Sequence, residues 1–175
     1  SRTVERNPLG NLAGEAVGVL AAALQGQGID MNAINELWID SIREADVELP
    51  ILVQGVHWSN PAYFSLVAVQ SDDAVVYKTH CYNPDDYSHA ASAFSVGYPG
   101  AYFSNAAQTV VPFHLTHFTD TEYSAVIDFQ DAHHVPVMIG EFGLQHPQNG
   151  GENYLSDIMS IAETNGWHYA LWNWN

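Results

Sequence analysis

Four short apolar stretches begin near residues 51, 75, 136 and 168, and a helical or turn-forming segment separates each from the next. Strands that alternate with helices build a parallel sheet with right-handed crossovers, so the pattern predicts an α/β fold. The third stretch is the sharpest. Val137, Met138 and Ile139 are bounded by Pro136 before them and by Gly140 and Gly143 after them, as in a strand buried on both faces. One carboxylate, Glu141, sits at its C-terminal end between the two glycines, which let the backbone turn and another group approach closely. A charge at the tip of a buried strand is costly unless it is paired or functional. Either Glu141 is ion-paired, in a chain with only four Lys plus Arg, or it is a catalytic carboxylate at strand C-termini, where barrel active sites lie.

The other elements follow from period and punctuation. A helix is predicted over 12–24, ended by Gly26-Gln27-Gly28, and a second over 32–45, capped by Asp30, with Ile34, Leu37, Trp38 and Ile42 inward. Strands are expected at 51–56, ending in His57-Trp58, and at 74–79, ending in His80-Cys81-Tyr82. A long aromatic loop over 85–105 reads as functional rather than idle. Further helices are expected at 119–132, capped by Thr119, and at 152–165, before the closing segment with Trp172 and Trp174. The 175 residues contain no internal repeat and read as one domain, 1–175.

In a parallel sheet all four strand ends lie on one edge. That edge gathers His57, Trp58, His80, Tyr82, Glu141, Trp172 and Trp174, a carboxylate with hydrogen-bonding groups and stacking platforms. The formal charge of −16 disfavours nucleic acid and anionic membrane as partners, whereas a neutral ligand is not repelled. Trp and Tyr together number 14 and suit stacking on sugar rings, although an aromatic core gives the same composition. No apolar run reaches the roughly 18 residues of a membrane span, and residues 12–24 lack the basic start of a signal peptide. With Cys81 as the only cysteine there is no disulfide framework. His114-x-x-His117 and the adjacent His133-His134 lack a third ligand at a metal-site spacing, no phosphate-binding loop is present, and Ser88-His89 beside Asp85-Asp86 is a loop rather than a nucleophile elbow. No cofactor is expected.

Several spaced motifs resemble glycoside hydrolase family 5, the cellulase type, over roughly residues 30–175. They are Gly140-Glu141-Phe142-Gly143 after an apolar strand, His80-x-Tyr82-x-Pro84 after the strand before it, the closing Trp172-x-Trp174, and Trp38-Ile39-Asp40-Ser41-Ile42-Arg43 leading into Pro50-Ile51-Leu52-Val53. The resemblance implies a (β/α)8, or TIM, barrel and a retaining β-1,4-glucanase. It makes Glu141 the nucleophile, His80 and Tyr82 the pair that orients it, and Trp172 the platform beneath the sugar. His57, Trp58 and Trp174 would be further substrate contacts, β-glucan the partner, and the protein secreted.

The chain departs from that pattern in length. Only four strands are found where a barrel has eight and about 250 residues, which predicts a half (β/α)8 barrel of about four parallel βα units. Aligning the family's Asn-Glu-Pro with Glu5-Arg6-Asn7-Pro8 places Asn7 where the acid/base stands, and Glu5 substitutes only if the alignment shifts. The competing readings are a glucanase using Glu141 with Glu5, a non-catalytic carbohydrate-binding remnant, and, more remotely, a metal-dependent hydrolase built on the histidines. A half barrel leaves two sheet edges unpaired, so two copies closing around a two-fold axis are expected, as a homodimer that completes the barrel.

Overall fold

The computed structural model describes residues 30–45, 48–90, 96–104 and 106–172. Glu5, Trp174 and the helix expected at 12–24 lie outside the described residues. Helix α1 (Met31–Ala45) opens the described chain, with Asp30 capping it by accepting from the Asn32 N–H at 2.9 Å. Strand β1 (Ile51–Gln54) leads through the 3-10 turns His57–Ser59 and Pro61–Leu66 into β2 (Val75–Cys81). After the short helix α2 (Asp85–Ser88) comes a hairpin of β3 (Gly100–Ser104) and β4 (Thr109–Phe113), then helix α3 (Ser124–His133), β5 (Val137–Phe142), α4 (Gly151–Thr164) and β6 (His168–Leu171). Four strands pair in the order β1-β2-β5-β6, all parallel. This is the α/β, partial TIM-barrel architecture expected, with a two-stranded antiparallel sheet inserted between β2 and β5. No described helix is long and apolar enough to cross a membrane.

The sheet buries one face. Ile51, Val53, Val75, Tyr77, Val137, Ile139 and Phe142 join Phe64, Val126, Phe129, Ile158, Ile161 and Trp167 in one core. Apolar burial of this kind is worth roughly 25 cal/mol per Å² and is the main force holding helices to the sheet. Contrary to the expectation that residues 137–139 are buried on both faces, Met138 is only half-buried, as are Val76 and Lys78, and Leu52 is 48% exposed. Side chains alternate across a strand, so these residues face what is the interior of a closed barrel, and the described residues cover it incompletely.

Helix α1 corrects a second expectation. Its buried stripe is Met31, Asn35 and Ile39, flanked by Ile34 and Ile42, while Leu37 and Trp38 are 66% and 45% exposed. At about 100° per residue Leu37 falls well off the stripe fixed by the four-residue spacing 31-35-39, whereas Trp38 lies at its edge beside Met31 and is nonetheless exposed. In α4 the expected face holds: Tyr154, Ile158 and Ala162 are buried, and Leu155 and Met159 pack against the core.

The 85–105 segment is not a bare loop, because α2 and the first strand of the hairpin, β3, lie in it. Its tyrosines extend the main core. Tyr87, Tyr98, Tyr102, Tyr154 and Phe118 are each no more than 4% exposed, with ring centroids such as Tyr87–Tyr154 at 5.4 Å and Tyr98–Tyr154 at 5.5 Å in edge contacts. Most tyrosines are therefore structural. The most exposed described rings are Trp58 and Trp172, with Trp38, Phe103 and Tyr169 also open to solvent.

A buried carboxylate locks this insertion to the sheet. Glu122 is fully buried; it accepts from the Asn83 amide at 2.6 Å and from the Ser104 hydroxyl, and lies 3.1 Å from His117 Nε2. The Glu122 turn is also why the helix expected at 119–132 begins later. Phe118–Glu122 is a π-type turn, closed by the Tyr123 N–H on the Phe118 carbonyl at 2.8 Å. Thr119 bonds back to the Leu115 carbonyl instead of capping, and His114 caps the preceding turn through His117 N–H. Removing the carboxylate strands three buried partners. Glu122→Ala is expected to lower stability by about 3–5 kcal/mol, with Glu122→Gln milder, as read from urea unfolding midpoints.

Candidate active site

Glu141 owes its position to a β-bulge. Thr79 pairs with Ile139 but His80 pairs with Glu141, so Gly140 is an extra residue against β2. Strand β6 sees the same irregularity, with Ile139 opposite Tyr169 and Phe142 opposite Leu171. A bulge re-aims the side chains that follow it. Here Phe142 returns to the buried face, while Glu141 stays on the inward side of the sheet with its side chain 33% exposed. Gly140 meets a second demand: a Cβ there would lie 2.3 Å from Cδ and 2.5 Å from Cγ of Lys78.

The Tyr82 hydroxyl donates to Glu141 Oε2 at 3.1 Å. His80 Nδ1 lies 3.7 Å from the same oxygen, beyond hydrogen-bond reach. Burial, reinforced by the charge of Lys78, depresses the His80 imidazole to about 4, so at neutral pH it faces the carboxylate uncharged. Its Nε2 is buried without a partner. Burial and the Glu141 charge push the Tyr82 hydroxyl well above its ordinary value, which keeps it a donor. Glu141 Oε1 takes no hydrogen bond from any described residue. The result is a carboxylate fixed through one oxygen and open at the other.

Beside Tyr82 lies a cavity of about 560 Å³, lined by His89, Gln145, His146, Leu171 and Trp172 among others. Trp172 is 55% exposed and is anchored to β5 by its backbone N–H on the Phe142 carbonyl at 2.8 Å. The loop after β5 is tied down where the Gln145 N–H meets the Ser88 carbonyl at 2.8 Å. Ser88 in turn donates to the Tyr82 carbonyl and sits 3.0 Å from His89 Nδ1, with the His89 ring tilted over Tyr82 at 4.8 Å. Sequence reasoning missed His89, Gln145 and His146. Only the return of the chain after Pro84 brings His89 back over Tyr82, and no local pattern marks it.

His57, Trp58 and Ser59 have φ of 50°, 55° and 61°, a left-handed run that costs free energy at each residue. Ser59 pins it from below: its hydroxyl accepts from the Gly55 N–H at 3.1 Å and donates to the Lys78 carbonyl, and its carbonyl accepts from Thr79 Oγ1 at 2.7 Å. Trp58 is thereby thrust outward, 69% exposed, while His57 stacks on Tyr63 at 4.1 Å. The structure thus brings Glu141, His80 and Tyr82 together and sets Trp172 in the adjoining cavity. His57 and Trp58 stand beyond β1 and do not line that cavity.

The chain matches the family model described as cellulase (glycosyl hydrolase family 5) over residues 20–175. No curated protein matches it in sequence. Similar solved structures include a hyperthermophilic endo-β-1,4-glucanase in complex with substrate, at 16% identity and TM-score 0.69, covering 83% of this chain and 46% of that one. Thermotoga maritima Cel5A in complex with cellobiose aligns at 18% identity and TM-score 0.66, covering 83% and 47%. The cellulose synthase subunit Z of Clostridioides difficile aligns at 16% identity and TM-score 0.63, covering 83% and 48%. The chain therefore spans about half the length of the structures it matches, and at these identities they establish the shared fold.

The depressed His80 has a consequence for stability. Between about 6.5, the ordinary histidine value, and about 4, the unfolded chain binds a proton that the folded chain refuses. Stability is thus expected to fall as pH drops through that window, by up to about 3 kcal/mol. Denaturant midpoints at about pH 7 and about pH 4.5 measure the loss, and His80→Gln should flatten it.

Proposed function

We propose that this chain, which belongs to glycosyl hydrolase family 5, the cellulase family, is a retaining glycoside hydrolase acting on β-1,4-glucan with Glu141 as nucleophile. The observation that carries the reading is Glu141 itself, held through Oε2 by Tyr82 at 3.1 Å and open at Oε1. In the first step Oε1 bonds to the anomeric carbon as the glycosidic oxygen departs with a proton from an acid. Water, deprotonated by the same group, then cleaves the glycosyl ester. Tyr82 fixes the attacking carboxylate and follows its change from anion to ester, and Trp172 supplies an apolar face for a sugar ring in the cavity beside it. β-1,4-Glucan is favoured because similar folds carry endo-β-1,4-glucanase activity and a bound cellobiose by name, although Thermotoga maritima Cel5A is also known with mannotriose. A polymeric substrate of this kind fits a secreted protein.

The mechanism needs a second carboxyl about 5–5.5 Å from the first, and Glu5 is the candidate in this chain. The alternative is a carbohydrate-binding remnant, favoured by the Asn that stands at position 7 where the family pattern expects the acid. The half-covered inward face, with Leu52 exposed, favours self-association of two copies into a closed barrel.

Hydrolysis of carboxymethyl-cellulose separates these readings. Glu141→Gln is expected to lower kcat on the order of 10⁴-fold, and Tyr82→Phe by roughly 10- to 100-fold, the worth of one hydrogen bond to a charged group. Loss of cutting in Glu5→Gln, with an activated aryl glycoside still cleaved, identifies the acid. A parent that binds the polymer without cutting it or the aryl glycoside establishes the remnant. Sedimentation equilibrium should give twice the mass of one chain; a monomer refutes the paired barrel.

A further inference from the structure

Lys78 is the only lysine among the 175 residues, in a chain of 20 acids and four bases. Of the other bases, Arg43 is engaged with Asp72 at 2.6 Å. The lone lysine stands on β2, two residues before His80 and on the same inward side, with Gln54 and Met138 as its register partners on β1 and β5. Its stem lies over the bare Cα of Gly140, so close that a Cβ there would fall 2.3 Å and 2.5 Å from its Cδ and Cγ. The glycine of the bulge that aims Glu141 is thus also the glycine that admits Lys78. The ammonium makes no hydrogen bond or ion pair with any described residue.

A half-buried ammonium without a partner is a cost that a methionine or leucine in the same space avoids. Burial lowers the Lys78 amine and the Glu141 charge opposes that effect, while the Lys78 charge adds to the burial that depresses His80. The titratable groups facing this lysine are Glu141 on β5 and His80 on its own strand, with Tyr82 beyond them on Glu141; β1 presents the uncharged Gln54. Resting on the reading of Glu141 as nucleophile, we infer that Lys78 is a positioning residue for the active site: packed on Gly140 at the bulge that aims Glu141, it holds a cation beside His80 and the nucleophile. A cation in this place disfavours a proton on the neighbouring His80 imidazole and makes no ion pair with a described carboxylate.

The test compares Lys78→Met and Lys78→Arg with the parent, each checked for folding by circular dichroism. NMR titration of the His80 ring should place its midpoint near about 4 in the parent, higher by roughly half a unit to one unit in Lys78→Met, and back near the parent in Lys78→Arg. In turnover, kcat/KM should fall in Lys78→Met and recover in Lys78→Arg. A folded Lys78→Met whose His80 titration is unchanged overturns the inference, whatever its activity. If no variant, parent included, hydrolyses glycan, the catalytic reading fails, while the His80 titration still decides whether Lys78 sets the charge state of this cluster.

Discussion

The one-residue bulge at Gly140–Glu141 is the constraint on which the site depends. A regular strand would alternate strictly, and Glu141, two residues after Ile139, would share its buried face. The extra residue removes that conflict. Ile139 and Phe142 both enter the core, and the carboxylate between them is delivered to the inward face, where Tyr82 meets it. Because both neighbouring strands register the irregularity, it is held from two sides, and the core contacts of Ile139 and Phe142 keep the carboxylate between them in place.

Around that point the polar groups are sorted by what they can be paired with. Glu122, fully enclosed, has Asn83, Ser104 and His117 arranged on it and serves to tie an inserted hairpin to the end of β2. Glu141, partly open, has one donor and a free oxygen. The two carboxylates belong to adjoining regions of the fold, yet one is saturated with partners and the other is under-coordinated. His80 completes the contrast: half-buried, neutral and with an unpartnered Nε2, it carries a stability cost at low pH.

The inward face carries the rest of the chain's functional character. Leu52, Val76, Lys78 and Met138 lie where a closed barrel has its interior, and their incomplete cover accords with a chain that spans about half the length of its structural neighbours. Exposed Trp58 and Trp172 stand at strand ends, whereas Tyr87, Tyr98, Tyr102 and Tyr154 are buried in the core. Composition cannot tell those two fates apart, since a stacking ring and a core ring are the same residue until the backbone places them.

The alternation of strands with helices, the Glu between two glycines and the His80-x-Tyr82 spacing were readable from local order alone, because period, punctuation and motif spacing are properties of contiguous residues. They determined the parallel α/β sheet and gathered Glu141, His80 and Tyr82 on one edge. What depends on distant segments was decided only by the tertiary structure. The bulge needs both neighbouring strands to be seen, the hairpin of β3 and β4 is fixed by Glu122 and the buried tyrosines, and Leu37 turns outward because Met31, Asn35 and Ile39 claim the core. His89 reaches Tyr82, and Lys78 reaches the bulge glycine, through pairings that no stretch of sequence contains by itself.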